Sequence, residues 1–362
     1  MRPPVVFCAG KAGRGVRERV KKEAFMRKLK TAFILLAFCA VFATGCGGGG
    51  QEQPPEEAAP GDRTNAGRMP ENEASENETS ENEASGNEEP GSKTPEQAPP
   101  GDGSAEEPSA QAFIHPEGMT LAERIAVPEG FSRVQAEDGS LAAFLREYPM
   151  KEDGSPVLLY DGREKGNQSA HAAVFALPIE NEDLQQCADS VMRMYAEYFW
   201  ESGQKERIAF HFVNGFYAEY TRWRDGERIQ VSGNEVSWVR TADYDDSYEN
   251  LKKYLRYVFS YASTLSMEGE SEPVSADEVA VGDVFLKGGS PGHVVMVVDL
   301  CEDMQGEKAF LLAQGYMPAQ EFHVLNNPLH PDDPWYYERE LAFPLATPEY
   351  TFGEGSLRRL GY

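Results

Sequence analysis

The sequence has little cysteine and little positive charge. It contains five cysteines in 362 residues, and only Cys187 and Cys301 fall in the part whose composition suits a folded domain. A disulfide-rich scaffold requires more cysteines than these. The net charge is −26, and a surface with this excess of acidic residues repels phosphate backbones. The sequence therefore argues against a disulfide-stabilised fold and against nucleic acid as a partner.

The spacings that typify metal and nucleotide sites are also missing. No pair of histidines or cysteines shows ligand spacing such as His-x-x-x-His. The glycine-rich loop 288–292 lacks the Lys-Ser/Thr pair of a phosphate-binding loop. We therefore predict neither a metal nor an organic cofactor.

Residues 1–45 are typical of an export signal. The segment 26–46, MRKLKTAFILLAFCAVFATGC, has cations, then an apolar run too short to remain as a membrane span, then small residues. Its end, Ala-Thr-Gly-Cys, resembles the bacterial lipobox, in which the cysteine receives a lipid. The resemblance implies lipidation of Cys46, attachment to the membrane through that lipid and an extracytoplasmic location. A secretory signal with an accidental cysteine is the alternative, and the basic stretch before Met26 suggests that Met26 is the true start.

Residues 46–111 predict a linker that follows the lipidated cysteine. They consist mostly of Gly, Pro, Glu, Asn, Ser and Ala, and include the near-repeat ENEASENETSENEASGNEEPG. Such a composition cannot bury enough apolar surface to fold, so we expect an acidic disordered tether. Periodic hydrophobicity begins after it, and we assign 112–362 to a single globular domain.

The globular part predicts an α+β fold, with helices first and a sheet later. The strongest helix is predicted over 182–200 with Asn181 as its N-cap, an apolar face that contains Cys187, and a charged stripe of Asp189, Arg193 and Glu197. The other predicted helices are 140–148 and 248–265. The predicted strands are 157–160, 172–177, 208–220 (followed by a turn at 224–227), 283–287, 293–300, 309–316 and 321–325.

Three polar residues in this region have the order expected for thiol chemistry. Cys187 lies on a helix, His293 begins a strand after a Gly-Asp strand at 282–286, and Gln314 lies on the strand after that. A thiolate is the nucleophile in such sites, a histidine takes and returns its proton, and a third polar group orients the imidazole. We expect Cys187, His293 and Gln314 to act as nucleophile, base and orienter. A buried cysteine that acts as a small hydrophobe, and a structural histidine, are the alternatives.

These residues resemble the papain-like, NlpC-type cell-wall hydrolases. In that family the cysteine opens a helix, a "GD" strand precedes the "HV" strand with the histidine, and the third residue follows on the next strand. The resemblance implies a papain-like core, with the Cys187 helix packed on a small antiparallel sheet. Two features differ. At the nucleophile, the family's Asp-Cys-Ser is Gln-Cys-Ala here, and Cys187 is predicted to lie in the second helical turn, where the helix dipole has less effect. The third position is Gln314, where the family more usually has His, Asn or Asp.

A second resemblance covers nearly all of the globular part. Segments such as GDVFLKGGSPGHVVMVVD and LLAQGYMPAQEFHVL resemble the sequences of a bacterial lipoprotein family catalogued as a domain of unknown function, number 4846. This family has no established reaction that could be carried over to the chain.

The function expected from the sequence is a thiol amidase or peptidase that acts on peptidoglycan or envelope peptides. We expect Tyr316, Gln320, His323 and Trp335 to contact the substrate, although turn-stabilising amides and a core aromatic are equally consistent with these positions. The first alternative is a non-catalytic lipoprotein that uses the same cleft to bind a glycan or peptide of the envelope. The second is an assembly lipoprotein that acts through protein contacts.

Overall fold

The computed structural model describes residues 112–362. The predicted signal, Cys46 and the acidic linker lie outside the described residues. Helices and antiparallel strands are mixed along the described chain, in agreement with the predicted α+β class. The helices are α1 (Leu121–Arg124), α2 (Leu141–Arg146), α3 (Cys187–Glu201), α4 (Tyr220–Arg224), α5 (Tyr248–Phe259) and α6 (Thr264–Gly269). The strands are β1 (Phe131–Arg133), β2 (His171–Val174), β3 (Ala209–His211), β4 (Tyr217–Glu219), β5 (Glu227–Ser232), β6 (Glu235–Arg240), β7 (Ser271–Pro273), β8 (Val284–Lys287), β9 (His293–Asp303), β10 (Lys308–Gln314), β11 (His323–Leu325), β12 (Tyr336–Tyr337), β13 (Leu345–Ala346), β14 (Thr351–Phe352) and β15 (Leu357–Leu360).

The main sheet is larger than the small sheet that the resemblance implied. It has nine strands in the order β2-β11-β10-β9-β8-β15-β7, and β1 and β12 pair with the far ends of β9 and β10. Neighbouring strands are antiparallel. Strand β9 is central and 11 residues long. Its first residue is His293, so the topology places this histidine at one end of the middle of the sheet.

Strand β9 is buried on both faces, which explains its continuous apolar run. Val294, Met296 and Val298 belong to the cluster that packs against the helices, whereas Val295 and Val297 belong to a second cluster on the opposite face. Successive side chains of a strand point to opposite faces. Because both faces are covered, neither set of positions needs to be polar.

Helix α3 begins five residues later than the sequence predicts. Cys187 is its first residue and Gln186, not Asn181, is the N-cap. The Gln186 N–H donates to the Asp189 carboxylate at 3.1 Å, which satisfies one of the free donors of the first turn. The preceding Asp183 accepts from the Gln186 side chain and from the Ala319 N–H, so it holds the entry of the helix against the loop after β10.

The charged stripe that we predicted on α3 is buried. Asp189, Arg193 and Glu197 are each exposed by 6% or less. Arg193 donates to Glu197 at 2.6 Å and to the Tyr248 hydroxyl at 2.9 Å, and α5 supplies that tyrosine. The i, i+4 spacing was therefore correct, but α5 covers this part of the helix, and the buried charges of Arg193 and Glu197 are paired with each other.

Three other predicted elements have different bounds. Residues 157–160 do not form a strand, since the Gln168 side chain occupies both backbone hydrogen-bonding groups of Val157. The predicted strand 208–220 is a hairpin, β3–β4, that turns at Gly215, where φ is +84°. Helix 248–265 ends at Phe259, and Ser263 caps the separate helix α6. The hairpin β5–β6 was not predicted.

None of the helices within residues 112–362 has the length and apolar character needed to cross a membrane.

Candidate functional site

A cleft of about 510 Å³ lies where the start of α3 meets the start of β9. Cys187 and His293 both line it, although 106 positions separate them in the chain. The remaining wall comes from four segments: the residues between α5 and α6, the glycine-rich loop before β9, the loop after β10 and the loop after β13. The lining residues outside α3 and its N-cap include Ser260, Ser263, Thr264, Ser290, Pro291, Gly292, Tyr316, Met317 and Tyr350.

Cys187 occupies the first position of α3, and the prediction that it lies in the second turn is wrong. At the first position the helix dipole favours a thiolate most strongly. Burial acts in the opposite direction: only 7% of the residue is exposed, and burial followed by the charge of Asp189 raises the thiol pKa to about 11. Backbone N–H groups lower the thiol pKa by less, that of Ala188 first and then those of Cys187 and Val294. The resting thiol is therefore neutral.

Asp189 is a buried carboxyl in the same helical turn, and the sequence reasoning missed its part in the cleft. Its Oδ2 accepts from the Gln186 N–H, but its Oδ1 finds no partner among the described residues. Burial raises its pKa to about 8, against the opposing effect of hydrogen bonds from the backbone. Its i, i+2 spacing from Cys187 gave no signal in the sequence, because residues two apart on a helix do not face each other.

His293, the first residue of β9, is held in place by aromatic side chains and by the close packing of the preceding Gly292 against its neighbours. Its ring centroid is 4.7 Å from that of Tyr316 and 4.9 Å from that of Tyr350. The preceding Gly292 has no space for a side chain, because a Cβ there would lie 2.4 Å from the Gly289 carbonyl oxygen and from Thr264 Oγ1. Burial lowers the His293 pKa to about 4, so the imidazole is neutral at pH 7.

Gln314, the last residue of β10, lies behind His293. Its Oε1 is 2.7 Å from His293 Nε2, and its Nε2 donates to the Glu349 carboxylate at 2.8 Å. An amide oxygen can only accept, so Nε2 of the neutral imidazole carries the proton and Nδ1 has the free lone pair. The structure thus brings together all three residues that the sequence proposed for the chemistry.

Of the four predicted substrate contacts, the structure places Tyr316 on the cleft and the other three elsewhere. His323 is fully buried behind Gln314, where its Nε2 lies 3.2 Å from the Lys165 ammonium. Gln320 is 1% exposed and donates to the Pro318 carbonyl. Trp335 is fully buried, and its indole N–H donates to the Ala126 carbonyl. These three positions therefore do not fit a direct contact with substrate, and Trp335 is a core aromatic.

Two charged residues behind the site were not identified from the sequence. Lys165 and Glu349 form an ion pair, with their side chains 5% and 12% exposed. They lie 184 positions apart and belong to no recognisable motif. Within residues 112–362 no group of three or more His, Cys, Asp or Glu side chains is placed to hold a metal ion.

A second cavity, of about 820 Å³, lies near the β3–β4 hairpin. His211 and Glu270 line it, with Nδ1 of the histidine 3.1 Å from the glutamate. Its lining contains none of the residues proposed for thiol chemistry.

Comparison with known proteins gives the chain a family. No curated protein and no solved structure matches it. A family model described as "Domain of unknown function (4846)" matches residues 121–359, which is more than half of the chain and includes the whole cleft. The chain therefore belongs to the family of this domain of unknown function 4846.

Proposed function

We propose that the chain is a lipid-anchored extracytoplasmic protein whose domain acts as a thiol amidase or peptidase with a papain-like core. The observation that carries the proposal is the His293–Gln314 contact of 2.7 Å beside a cleft that Cys187 also lines. The order cysteine, histidine and polar orienter follows the NlpC-type resemblance of the sequence. The start of α3 at Cys187 adds support, since the catalytic cysteine of the NlpC-type hydrolases is also at the start of its helix.

The proposed mechanism is general-base catalysis, in which His293 takes the Cys187 proton during attack on the substrate, rather than a preformed thiolate–imidazolium pair. Burial keeps both the thiol and the imidazole neutral in the resting cleft. His293 Nδ1 takes the thiol proton as the sulfur attacks the substrate carbonyl carbon, and the imidazolium then gives that proton to the leaving amine. A thioester with Cys187 remains. Water, deprotonated by His293, attacks it to release the acid and restore the thiol.

The proposed substrates are amides of peptidoglycan or of envelope peptides. This follows from the proposed lipid on Cys46, which would keep the domain at the membrane surface, and from the linker, which would let it reach outward. Hydroxyl groups of Ser260, Ser263, Thr264 and Ser290, together with the rings of Tyr316 and Tyr350, line the cleft and suit a polar, extended substrate.

The test is site-resolved alkylation with iodoacetamide, followed by digestion of purified peptidoglycan. In the folded protein Cys187 should react faster than the fully buried Cys301, and the His293→Gln variant should lose at least about tenfold of the Cys187 rate, because the base is gone. Release of new amino groups from peptidoglycan should be lost in Cys187→Ser and retained in Cys301→Ala. Equal resistance of both cysteines until unfolding would end the proposal.

A non-catalytic binding protein is the second candidate, and the state of Cys187 favours it. A thiol that is 7% exposed, with its pKa raised to about 11, behaves as a core residue. The same cleft would then bind a glycan or peptide of the envelope. Binding of soluble peptidoglycan fragments that is unchanged in Cys187→Ser, without any cleavage by the unchanged protein, would select this candidate.

A further inference from the structure

The side chain of Gln314 is buried, so its two ends must both find partners within the protein. It is 0% exposed. The oxygen and the NH₂ group of an amide have nearly the same shape, and their neighbours decide which way the group faces. If Gln314 faced the other way, its NH₂ group would point at His293 Nε2. The imidazole would then have to accept there and carry its proton on Nδ1, the nitrogen that the proposed mechanism requires to be free.

The far side of Gln314 offers two acceptors. Glu349 Oε2 lies 2.8 Å from Gln314 Nε2, and His323 Nε2 lies 3.5 Å from the same nitrogen. His323 Nδ1 is 2.8 Å from the Glu321 carbonyl, which can only accept, so the proton of that neutral imidazole is on Nδ1 and its Nε2 is an acceptor. Both neighbours therefore favour the NH₂ end of Gln314, but Glu349 makes the stronger contact, since 3.5 Å to His323 is at the limit of a hydrogen bond.

Lys165 holds these two acceptors in place. Its ammonium pairs with Glu349 Oε2, the same atom that accepts from Gln314, and lies 3.2 Å from His323 Nε2. A cation at this position attracts the Glu349 carboxylate and disfavours a second proton on His323. Burial, then Lys165, holds the His323 pKa well below its ordinary value, which agrees with the acceptor role.

We propose that Glu349, held by Lys165, is a positioning residue that fixes the direction of the Gln314 amide and through it the tautomer of His293. This inference rests on the proposed use of His293 as the base. It also gives His323 a role behind the site in place of the substrate contact that the sequence suggested. Lys165, His323 and Glu349 do not contact the Cys187 sulfur in this scheme. They act through Gln314.

The test reads the tautomer directly, by NMR of the protein with ¹⁵N-labelled histidine at neutral pH. The His293 signals are assigned by their loss in His293→Gln. The unchanged protein should show the proton on Nε2. The double variant Lys165→Met/Glu349→Leu leaves no unpaired buried charge, so it should fold, and its His293 proton should move to Nδ1 in a substantial fraction of molecules. The matched control is Lys165→Met/Glu349→Gln, which also leaves no unpaired buried charge but keeps an oxygen acceptor beside Gln314, and it should retain the Nε2 proton.

The outcomes separate this inference from the proposed function. If Lys165→Met/Glu349→Leu still carries the His293 proton on Nε2, the inference is overturned, whatever the reactivity of Cys187 in that variant. If the tautomer moves, iodoacetamide alkylation of Cys187 should also slow by about tenfold, because His293 can no longer accept the thiol proton. If the tautomer moves but Cys187 is inert even in the unchanged protein, the positioning role stands and the thiol-enzyme proposal fails. Retention of the Nε2 proton in Lys165→Met/Glu349→Gln, with its loss in Lys165→Met/Glu349→Leu, would identify the oxygen acceptor, rather than the charge, as the group that fixes the tautomer.

Discussion

At the scale of single residues, the cleft combines a favourable position with an unfavourable environment. Cys187 is at the first position of α3, where nearby backbone N–H groups, that of Ala188 first, favour its thiolate. The same residue is buried and shares its helical turn with Asp189. The two effects of burial and of the neighbouring carboxylate exceed those of the hydrogen bonds, so the thiol keeps its proton at neutral pH.

Asp189→Asn should make Cys187 more acidic. Asp189 has its pKa near 8, so it is ionised in the range where the thiol titrates, and its negative charge opposes the thiolate. Removal of that charge should move the alkylation pH profile to lower pH by roughly one unit. The profile is measured with iodoacetamide and site-resolved mass spectrometry. Glu302→Gln, an exposed acid at the far end of β9, is the control, and an unshifted profile in Asp189→Asn would show that burial alone sets the thiol pKa.

At the scale of elements, the contact between α3 and the end of β10 keeps the two halves of the site together. Gly315 follows Gln314, and a Cβ at Gly315 would lie 2.2 Å from Ser190 Oγ and 3.0 Å from the Gln186 carbonyl oxygen. Ser190 lies on the first turn of α3, and Gln186 caps it. The absence of a side chain at Gly315 therefore allows the helix with Cys187 to approach the strand with Gln314.

Gly315→Ala should separate α3 from β10 and weaken the site. A Cβ in this space requires a backbone shift, and such overpacking costs about 1–3 kcal/mol. We expect a lower free energy of unfolding in urea, together with slower alkylation of Cys187 in the protein that remains folded. The matched control is Gly353→Ala, because a Cβ at Gly353 meets open space. Equal stability of the two variants would show that α3 and β10 do not meet as closely as described.

At the scale of the whole molecule, the buried titratable groups make stability depend on pH. The folded-state pKa of Asp189 is about 8, above its ordinary value of 3.8, so folding favours the protonated acid. Its contribution is fully present below pH 4 and is lost as the pH rises towards 8. The folded-state pKa of His293 is about 4, below 6.5, so folding favours the neutral base. Its contribution is present above pH 6.5 and is lost as the pH falls towards 4.

The difference in unfolding free energy between Asp189→Asn and the unchanged protein should therefore depend on pH. The variant should gain stability relative to the unchanged protein as the pH rises from 4 to 8, since asparagine has no charge to bury. Urea unfolding at intervals across this range measures the difference. A difference that stays constant with pH would mean that Asp189 does not titrate in the folded protein between these values.

Local sequence pattern was sufficient for the strands of the last third and for the identity of the three residues at the proposed site. Strands β8, β9, β10 and β11 each lie within three residues of a predicted segment, because apolar runs between turn residues depend on neighbours in the chain. Cys187, His293 and Gln314 were identified because each belongs to a short motif. The start of α3 was misjudged, because the acidic residues 182–183 imitate a first helical turn, while Asp183 is in fact bound to the loop after β10.

The sequence by itself determined the acidic composition, the α+β pattern and the order of the cysteine, histidine and amide along the chain. The tertiary structure alone decided that α5 covers the charged stripe of α3, that His323 and Trp335 are buried, and that Lys165 and Glu349 meet behind Gln314. The physical reason is distance along the chain. Side-chain spacing and turn preferences act over a few residues. Lys165 and Glu349 are 184 positions apart, so they meet only when the nine-stranded sheet has formed.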